Sequence, residues 1–245
     1  MAKWDHSVDL VVVGSGAGAM AAGIRGKDLG LDVVLVEKGE SYGGSSAMSG
    51  GVCWVGNNRY MSKYGLSDSD EETLTYLKSI TKGEVPEEYL RTYVSESKRM
   101  VDYFAEKTHL TFDSLDKYTD YYPEAPGGKM GGRSMEPDPF DGSLLGDDFL
   151  QLRRPATSAL ILGKFMITAR QAKRFIILNF VGFVIMAWQI LKFIFRAGKR
   201  SRFGGRDTFL TNGNALVGRL MLSLKDRKVP VWLNTPAEEL VFENG

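Results

Sequence analysis

An α/β fold of Rossmann-like type is predicted by three observations. Leu10-Val11-Val12-Val13 runs straight into the glycine turn Gly14-Ser15-Gly16-Ala17-Gly18-Ala19, residues 17–29 read as a helix closed by Gly30, and Val33-Val34-Leu35-Val36 stops on Glu37. A four-residue apolar run bounded by turn residues reads as a short strand. Two such runs joined through a helix open a parallel sheet, because parallel strands need a crossover of a dozen or more residues.

Composition sets the class. With 245 residues, 25% charged and 43% apolar, the chain is globular and long enough for a sizeable core, which excludes a disordered tail. Lys plus Arg is 31 against 30 Asp plus Glu, a net charge of +1, so no nucleic-acid partner is expected. One cysteine excludes a disulfide framework and a multi-cysteine zinc site, and two histidines exclude a His-rich centre; no metal is expected. Residues 1–9 are mostly polar and lead directly into the first strand. That reads as no signal peptide and, with the lone cysteine, as a cytoplasmic protein.

After Glu37 comes a loop rich in glycine and serine, residues 39–56. A helix is expected from about Ser67–Asp70, where acids crowd the first turn, to about Lys82. A second starts at Pro86 and carries Leu90, Tyr93, Val94, Val101 and Phe104 at mostly helical spacing. Residues 118–148 hold six glycines and four prolines without periodicity, which reads as a long functional or disordered loop. Residues 175–195 are the most apolar stretch, 214–227 read as a helix, and two strands are expected at 231–233 and 239–242. The terminal Asn244-Gly245 is a hairpin signal with no second strand after it, which reads as truncation of a longer protein.

The glycine turn carries chemistry. Gly14 suits a tight turn, Gly16 lets backbone approach a pyrophosphate, and Ala19 permits close helix–strand packing. The helix N-terminus presents free amides and partial positive charge to phosphate. Glu37, 23 residues after Gly14, is placed to accept a ribose hydroxyl, and its charge disfavours the extra phosphate of NADP. This turn alone does not separate NAD from FAD. The following loop does: Gly43-Gly44-Ser45-Ser46-Ala47-Met48-Ser49-Gly50-Gly51 offers small residues for backbone to lie against a flat ring system, and hydroxyls for phosphate or flavin oxygens. A flexible surface loop is the plainer alternative.

On these residues the sequence resembles the fumarate reductase-type FAD flavoproteins, and within them it is most similar to the 3-ketosteroid 1-dehydrogenases. The first block of resemblance is residues 9–58, with Glu37-Lys38, Gly43 to Ser46, Ser49 to Gly51 and Trp54. The second is Asp120-Tyr121-Tyr122-Pro123-Glu124 with Gly132-Arg133-Ser134; the third is Gly205-Arg206, Gly213-Asn214-Ala215-Leu216 and the final strand pair.

The resemblance implies a Rossmann-like FAD-binding domain, discontinuous in sequence and truncated before the catalytic domain. Residues 1–245 would be its N-terminal part, with a helical excursion over about 150–202, and the last FAD segment would also lie outside. It implies non-covalent FAD held by Gly14, Ser15, Gly16, Ala17, Gly18, Ala19, Glu37, Lys38, Gly43, Gly44, Ser45, Ser46, Ser49, Gly50 and Gly51, with Ala237 between the last two strands. In that family two hydrogens leave ring A of a 3-ketosteroid, a hydride to the flavin and a proton to a tyrosinate, while tyrosine and backbone donors polarise the ketone. The first tyrosine of the Asp-Tyr-Tyr motif, which assists the base through hydrogen bonding, falls on Tyr121; the base itself falls outside the chain. The alternative for Tyr121 is an aromatic anchor among Tyr118 and Tyr122. The expected partners are a 3-ketosteroid or similar flat ketone and an electron acceptor of unknown identity. Two other readings stand: another fumarate reductase-type dehydrogenase or reductase, and a nucleotide-binding or membrane-docking fragment without chemistry of its own.

Residues 164–202 do not match the shorter family members. Across 175–195 and just beyond it, Asn179, Gly182, Gln189, Lys192, Arg196 and Lys199 draw one polar stripe at steps of three, four and seven. A buried or capping helix and an interfacial helix with basic flanks, a peripheral membrane contact, are the main readings. A true span would put the two halves of one domain on opposite sides of a bilayer. Cys53 reads as a small packed residue, and Lys129, Arg133, Arg153 and Arg154 as solvated loop charges, with an anion contact as the alternative. His6 and His109 are assigned no role.

Overall fold

The structure, a computed structural model, describes residues 4–176 and 180–242. In chain order the elements are β1 (Leu10–Val13), α1 (Ala17–Asp28), β2 (Val33–Val36), α2 (Gly44–Met48), β3 (Cys53–Trp54), α3 (Asp70–Thr81), α4 (Glu87–Lys107), β4 (Phe112–Ser114), β5 (Ser134–Pro137), β6 (Phe140–Asp141), α5 (Ala169–Ile176), α6 (Phe180–Phe195), α7 (Ala197–Arg202), β7 (Phe209–Leu210), α8 (Asn212–Asp226) and β8 (Val231–Trp232). β1, β2 and β8 form a parallel sheet with β2 in the middle: Leu10 opposes Val33, Val13 opposes Val36, and Leu35 opposes Val231. All four residues of β2 are buried, as its continuous apolar run requires. Met20 and Ile24 of α1, Leu35 of β2 and Val217, Leu220 and Leu224 of α8 share one core.

Local chemistry sets the helix ends. The Ser69 hydroxyl accepts the Glu72 N–H at 3.1 Å, and Asp70, Glu71 and Glu72 occupy the first turn of α3, where the helix dipole favours negative charge. Pro86 precedes α4, its missing N–H being one that a helix start leaves unbonded anyway.

Several expectations are corrected. The 39–56 loop contains a five-residue helix, α2, and a short strand, β3; small residues let this segment coil back against the first turn of α1 and the start of α8. The 118–148 segment supplies β5, which pairs antiparallel with β3 and with β4, and β6, which pairs with β7; a 3-10 helix follows at Gly142–Gln151. Its glycines and prolines mark the turns between these short pieces. No strand forms at 239–242: Leu240 and Phe242 are exposed, and no neighbouring strand offers them backbone partners among the described residues. Asn244-Gly245 and Asn179 lie outside the described residues.

Arg133 is not a solvated loop charge. It is fully buried and ion-paired to Asp68 and Asp120, at 2.7 and 2.9 Å. Lys129 is half-buried and pairs with Glu72 at 2.9 Å. The 150–202 excursion comprises the end of the 3-10 helix, an irregular stretch with a 3-10 turn at Thr157–Ala159, and α5, α6 and α7. α6 is not buried: Phe180, Trp188 and Phe195 point outward. No helix among the described residues is long and apolar enough to cross a membrane.

Candidate functional site

A crevice of about 480 Å³ opens at the carboxyl ends of β1 and β2, where open α/β sheets bind ligands. Its floor is the turn out of β1. Gly14 has φ +98°, a left-handed conformation that carries the chain from strand into α1, and its N–H closes the turn onto the Val36 carbonyl at 2.7 Å. Gly16 is the N-cap residue of α1 and lines the crevice, so that helix starts at its edge.

Glu37 closes one wall. The Ser15 hydroxyl donates to its Oε2, and the Gly39 N–H donates to its Oε1 at 2.9 Å. Partial burial works against ionisation of this carboxyl, but the bonds from Ser15 and Gly39 outweigh it and hold it below the usual carboxylate range. A carboxylate has about four lone-pair sites, so accepting capacity remains towards the crevice. The backbone behind Glu37 is tied to the end of β8: its N–H donates to the Trp232 carbonyl at 2.8 Å, and its carbonyl accepts the Thr235 N–H at 2.8 Å. That tie brings Thr235, Pro236 and Ala237 to the opposite rim.

The serine loop acts mainly as scaffold. Ser46 Oγ accepts the Ala17 N–H at 3.0 Å, reaching across 29 residues to cap the first turn of α1, and Ser15 Oγ accepts the Gly43 N–H at 3.0 Å. Ser49 donates to the Ser46 carbonyl and accepts the Gly51 N–H, fastening the end of α2. α2 in turn packs on the start of α8, where Gly213 approaches so closely that a Cβ would lie 1.9 Å from the Ser46 carbonyl oxygen.

Of the residues singled out from sequence, Gly14, Ser15, Gly16, Glu37, Lys38, Gly44, Ser45 and Ala237 line the crevice together. Ala17, Gly18 and Ala19 form the first turn of α1, and Gly43 is the N-cap of α2. Ser46 sits behind the crevice, and Ser49, Gly50 and Gly51 lie past the end of α2 towards α8, outside its lining. Tyr121 is elsewhere, on the loop beside α3 and β3, and is 90% exposed.

Arg153 is exposed, as a solvated loop charge is expected to be, and it also lines the crevice, because Tyr42 bridges in parallel to Leu152 and the Arg153 N–H donates to the Tyr42 carbonyl at 2.9 Å. Nothing local in the sequence signals that pairing. Arg206 and Asn214 were named only as resemblance. The Arg206 guanidinium donates to the Leu152 carbonyl and to Asn214 Oδ1, both at 2.7 Å, and Asn214 Nδ2 donates to the Ala47 carbonyl at 2.6 Å. Burial, and secondarily the neighbouring Arg154 charge, push the Arg206 pKa down to about 10. Cys53 is half-buried, and burial pushes its thiol up, away from nucleophilic use.

The donor set suits a nucleotide diphosphate: the Gly14–Gly16 turn at the positive end of α1 and a cation suit phosphates, and a carboxylate suits ribose hydroxyls. The comparisons with known proteins agree. A family model described as "FAD binding domain" matches residues 9–245. The chain is 35% identical, over 97% of its length, to a 3-oxosteroid 1-dehydrogenase of Mycolicibacterium smegmatis, of which it covers 41%. It is 31% identical, over 95% of its length, to a 4-oxocyclohex-2-ene-1-carboxylate 5-dehydrogenase of Sinomonas cyclohexanicum, of which it covers 39%. A crystal structure of the 3-ketosteroid delta1-dehydrogenase of Sterolibacterium denitrificans, in complex with 1,4-androstadiene-3,17-dione, superposes with a TM-score of 0.90 at 41% identity, over 97% of this chain and 42% of that one. The chain therefore spans about two-fifths of the length of these relatives.

Proposed function

The chain belongs to the FAD binding domain family, and from that premise we propose that it is the nucleotide-binding part of an FAD-dependent dehydrogenase that removes two hydrogens from adjacent carbons of a cyclic ketone, a 3-ketosteroid in the first instance. The observation that carries the cofactor half is the crevice, where Glu37, Arg153 and the glycine turn that leads into α1 converge. The substrate half is supported by the names of relatives matched along nearly the whole chain. In this reading a catalytic domain and a last FAD-binding segment complete the enzyme.

FAD, when bound, supplies the two-electron acceptor. The residues of this chain bind and orient it. The Gly14 turn would let the diphosphate lie against backbone, the positive end of α1 and the Arg153 guanidinium would meet its charge, and Glu37 would accept a ribose hydroxyl. The Ser15–Glu37 bond holds that carboxylate at the rim before the ligand arrives, so little side-chain freedom is lost on binding. Ser46, through Ala17, fixes the first turn of α1. Tyr121 presents its hydroxyl on an exposed loop, where it can hydrogen-bond a base carried by the remainder of the enzyme.

The test is anaerobic dye reduction by the full-length protein, with flavin absorbance read in parallel. A yellow protein that releases intact FAD on denaturation and reduces the dye with a 3-ketosteroid supports the whole reading. Turnover of a 4-oxocyclohexane carboxylate but no steroid overturns the substrate class alone. Bound NAD in place of flavin overturns the cofactor.

A further inference from the structure

A second cavity, of about 640 Å³, opens between the 154–166 stretch, the corner from α6 to α7, and the start of β7 and α8. It shares no lining residue with the nucleotide crevice. Its size suits a small organic molecule, for which pockets run to roughly 300–1,000 Å³. Leu160, Phe165, Met166, Phe193 and Phe209 give it an apolar wall. Phe165 and Met166 are buried, and the Phe165 ring lies 5.3 Å from that of Phe193, so packed side chains frame the space.

Its charge is one-sided. Arg154, Lys164, Arg200 and Arg206 line it with a single carboxylate, Asp207, which Arg196 already holds through two bonds of 2.8 Å. Among the described residues no carboxylate pairs with any of those four cations. Arg206 donates to neutral acceptors alone, the Phe149 and Leu152 carbonyls and Asn214 Oδ1. Arg200 is the telling one. Its guanidinium lies 3.5 Å from the centre of the Phe193 ring, and its Nε is buried with no hydrogen-bond partner among the described residues. A buried donor left unbonded costs free energy that a ligand acceptor would recover. A guanidinium stacked by its face keeps its edge free, and a carboxylate takes such an edge through two parallel bonds. A neutral apolar molecule would leave that donor unbonded, and a bare inorganic anion would leave the aromatic wall wet.

We propose that this cavity binds an amphipathic carboxylate, an apolar chain or ring system ending in one carboxyl group. The carboxylate takes the edge of Arg200, with Arg154 and Lys164 adding charge at the rim, and the apolar body lies against Phe165, Met166 and Phe209. The site is separate from the nucleotide crevice and does not depend on the reaction proposed above.

The test is calorimetric titration of the full-length holoprotein with octanoate, a chain acid, and 1-adamantanecarboxylate, a ring acid, against octanol and acetate. Saturable one-to-one binding of at least one acid is expected, and the tighter of the two tells whether the body is a chain or a ring. Octanol and acetate should bind at least about tenfold more weakly than that acid. Arg200→Met, which keeps a side chain over Phe193 but removes the charged edge, should weaken binding about thirtyfold. Leu160→Trp, which fills the cavity from its wall, should weaken it about tenfold or more and decides the matter if Arg200→Met does not fold. Melting temperature and flavin absorbance should stay unchanged in Leu160→Trp. Four results overturn the inference: no binding of either acid, octanol or acetate binding as tightly as the acids, wild-type affinity in a folded variant, or release of flavin as the acid saturates. Flavin content before titration reports the cofactor reading separately.

Discussion

Arg133 and Asp68 form a closed two-bond clasp in the interior: Nε donates to Oδ2 at 2.7 Å and Nη2 to Oδ1 at 2.9 Å, and neither side chain is exposed. Asp120 takes a third bond from Arg133 at 2.9 Å and also accepts from the Trp54 indole N–H at 2.7 Å and the Lys129 N–H at 2.9 Å. The guanidinium further lies 5.6 Å from the Trp54 ring and 5.4 Å from the Tyr76 ring. One buried cation thus anchors the base of the loop that presents Tyr121, the residue next to Asp120.

Removing one partner of this clasp should destabilise strongly, because it leaves a buried charge under-compensated. Asp68→Ala should cost about 3–5 kcal/mol, read from urea unfolding. The pH dependence has a definite sign. Burial raises the Asp68 pKa, but the Arg133 bond and the Asn57 N–H outweigh it, so the folded value lies below the ordinary one. The stabilisation is then complete above the unfolded value of about 3.9 and is lost as pH falls through the folded value. The urea midpoint should drop on acidification below about pH 4, and Asp68→Asn should flatten that drop.

Glu37→Ala removes the charged acceptor proposed for ribose. FAD affinity should fall by about 1.5–3 kcal/mol, roughly ten- to a hundredfold. Flavin retained per protein after gel filtration checks it; unchanged retention would take Glu37 out of the binding set.

Gly213→Ala places a methyl 1.9 Å from the Ser46 carbonyl oxygen. α2 and α8 must separate, costing about 1–3 kcal/mol. Because Ser46 caps α1 through Ala17, flavin retention should fall together with the melting temperature. A stable variant with normal flavin content would show that this contact does not support the crevice.

Tyr121→Phe deletes a hydroxyl from a residue that is 90% exposed. Stability should stay within about 0.5 kcal/mol and FAD content should not change. Turnover of the complete enzyme should fall roughly tenfold, the loss of one hydrogen bond near the base. Full activity in this variant would leave Tyr121 without a catalytic part.

The β1–α1–β2 unit, the starts of α3 and α4, and most of the crevice were legible in the amino-acid order because each rests on local chemistry. Leu10 to Val36 carries strand, turn and helix signals within one crossover, and Ser69 caps a helix whose first acids are its immediate neighbours. Short-range geometry also carried Glu37 to the crevice, since a residue ending β2 emerges beside the turn that ends β1. Tertiary structure alone decided the rest. Arg133 has its carboxylates 65 and 13 residues away, and Arg153 reaches the crevice only because Tyr42 pairs with Leu152. The periodicity of 175–195 announced an amphipathic helix but not which side would face in. In the structure Gly182 and Gln189 of that stripe face in, Lys192 stays exposed, and Arg196 just beyond α6 pairs with the buried Asp207. A period fixes which residues share a face; only a partner distant in sequence fixes where the face points, because burying an ion requires its counter-ion to be there already.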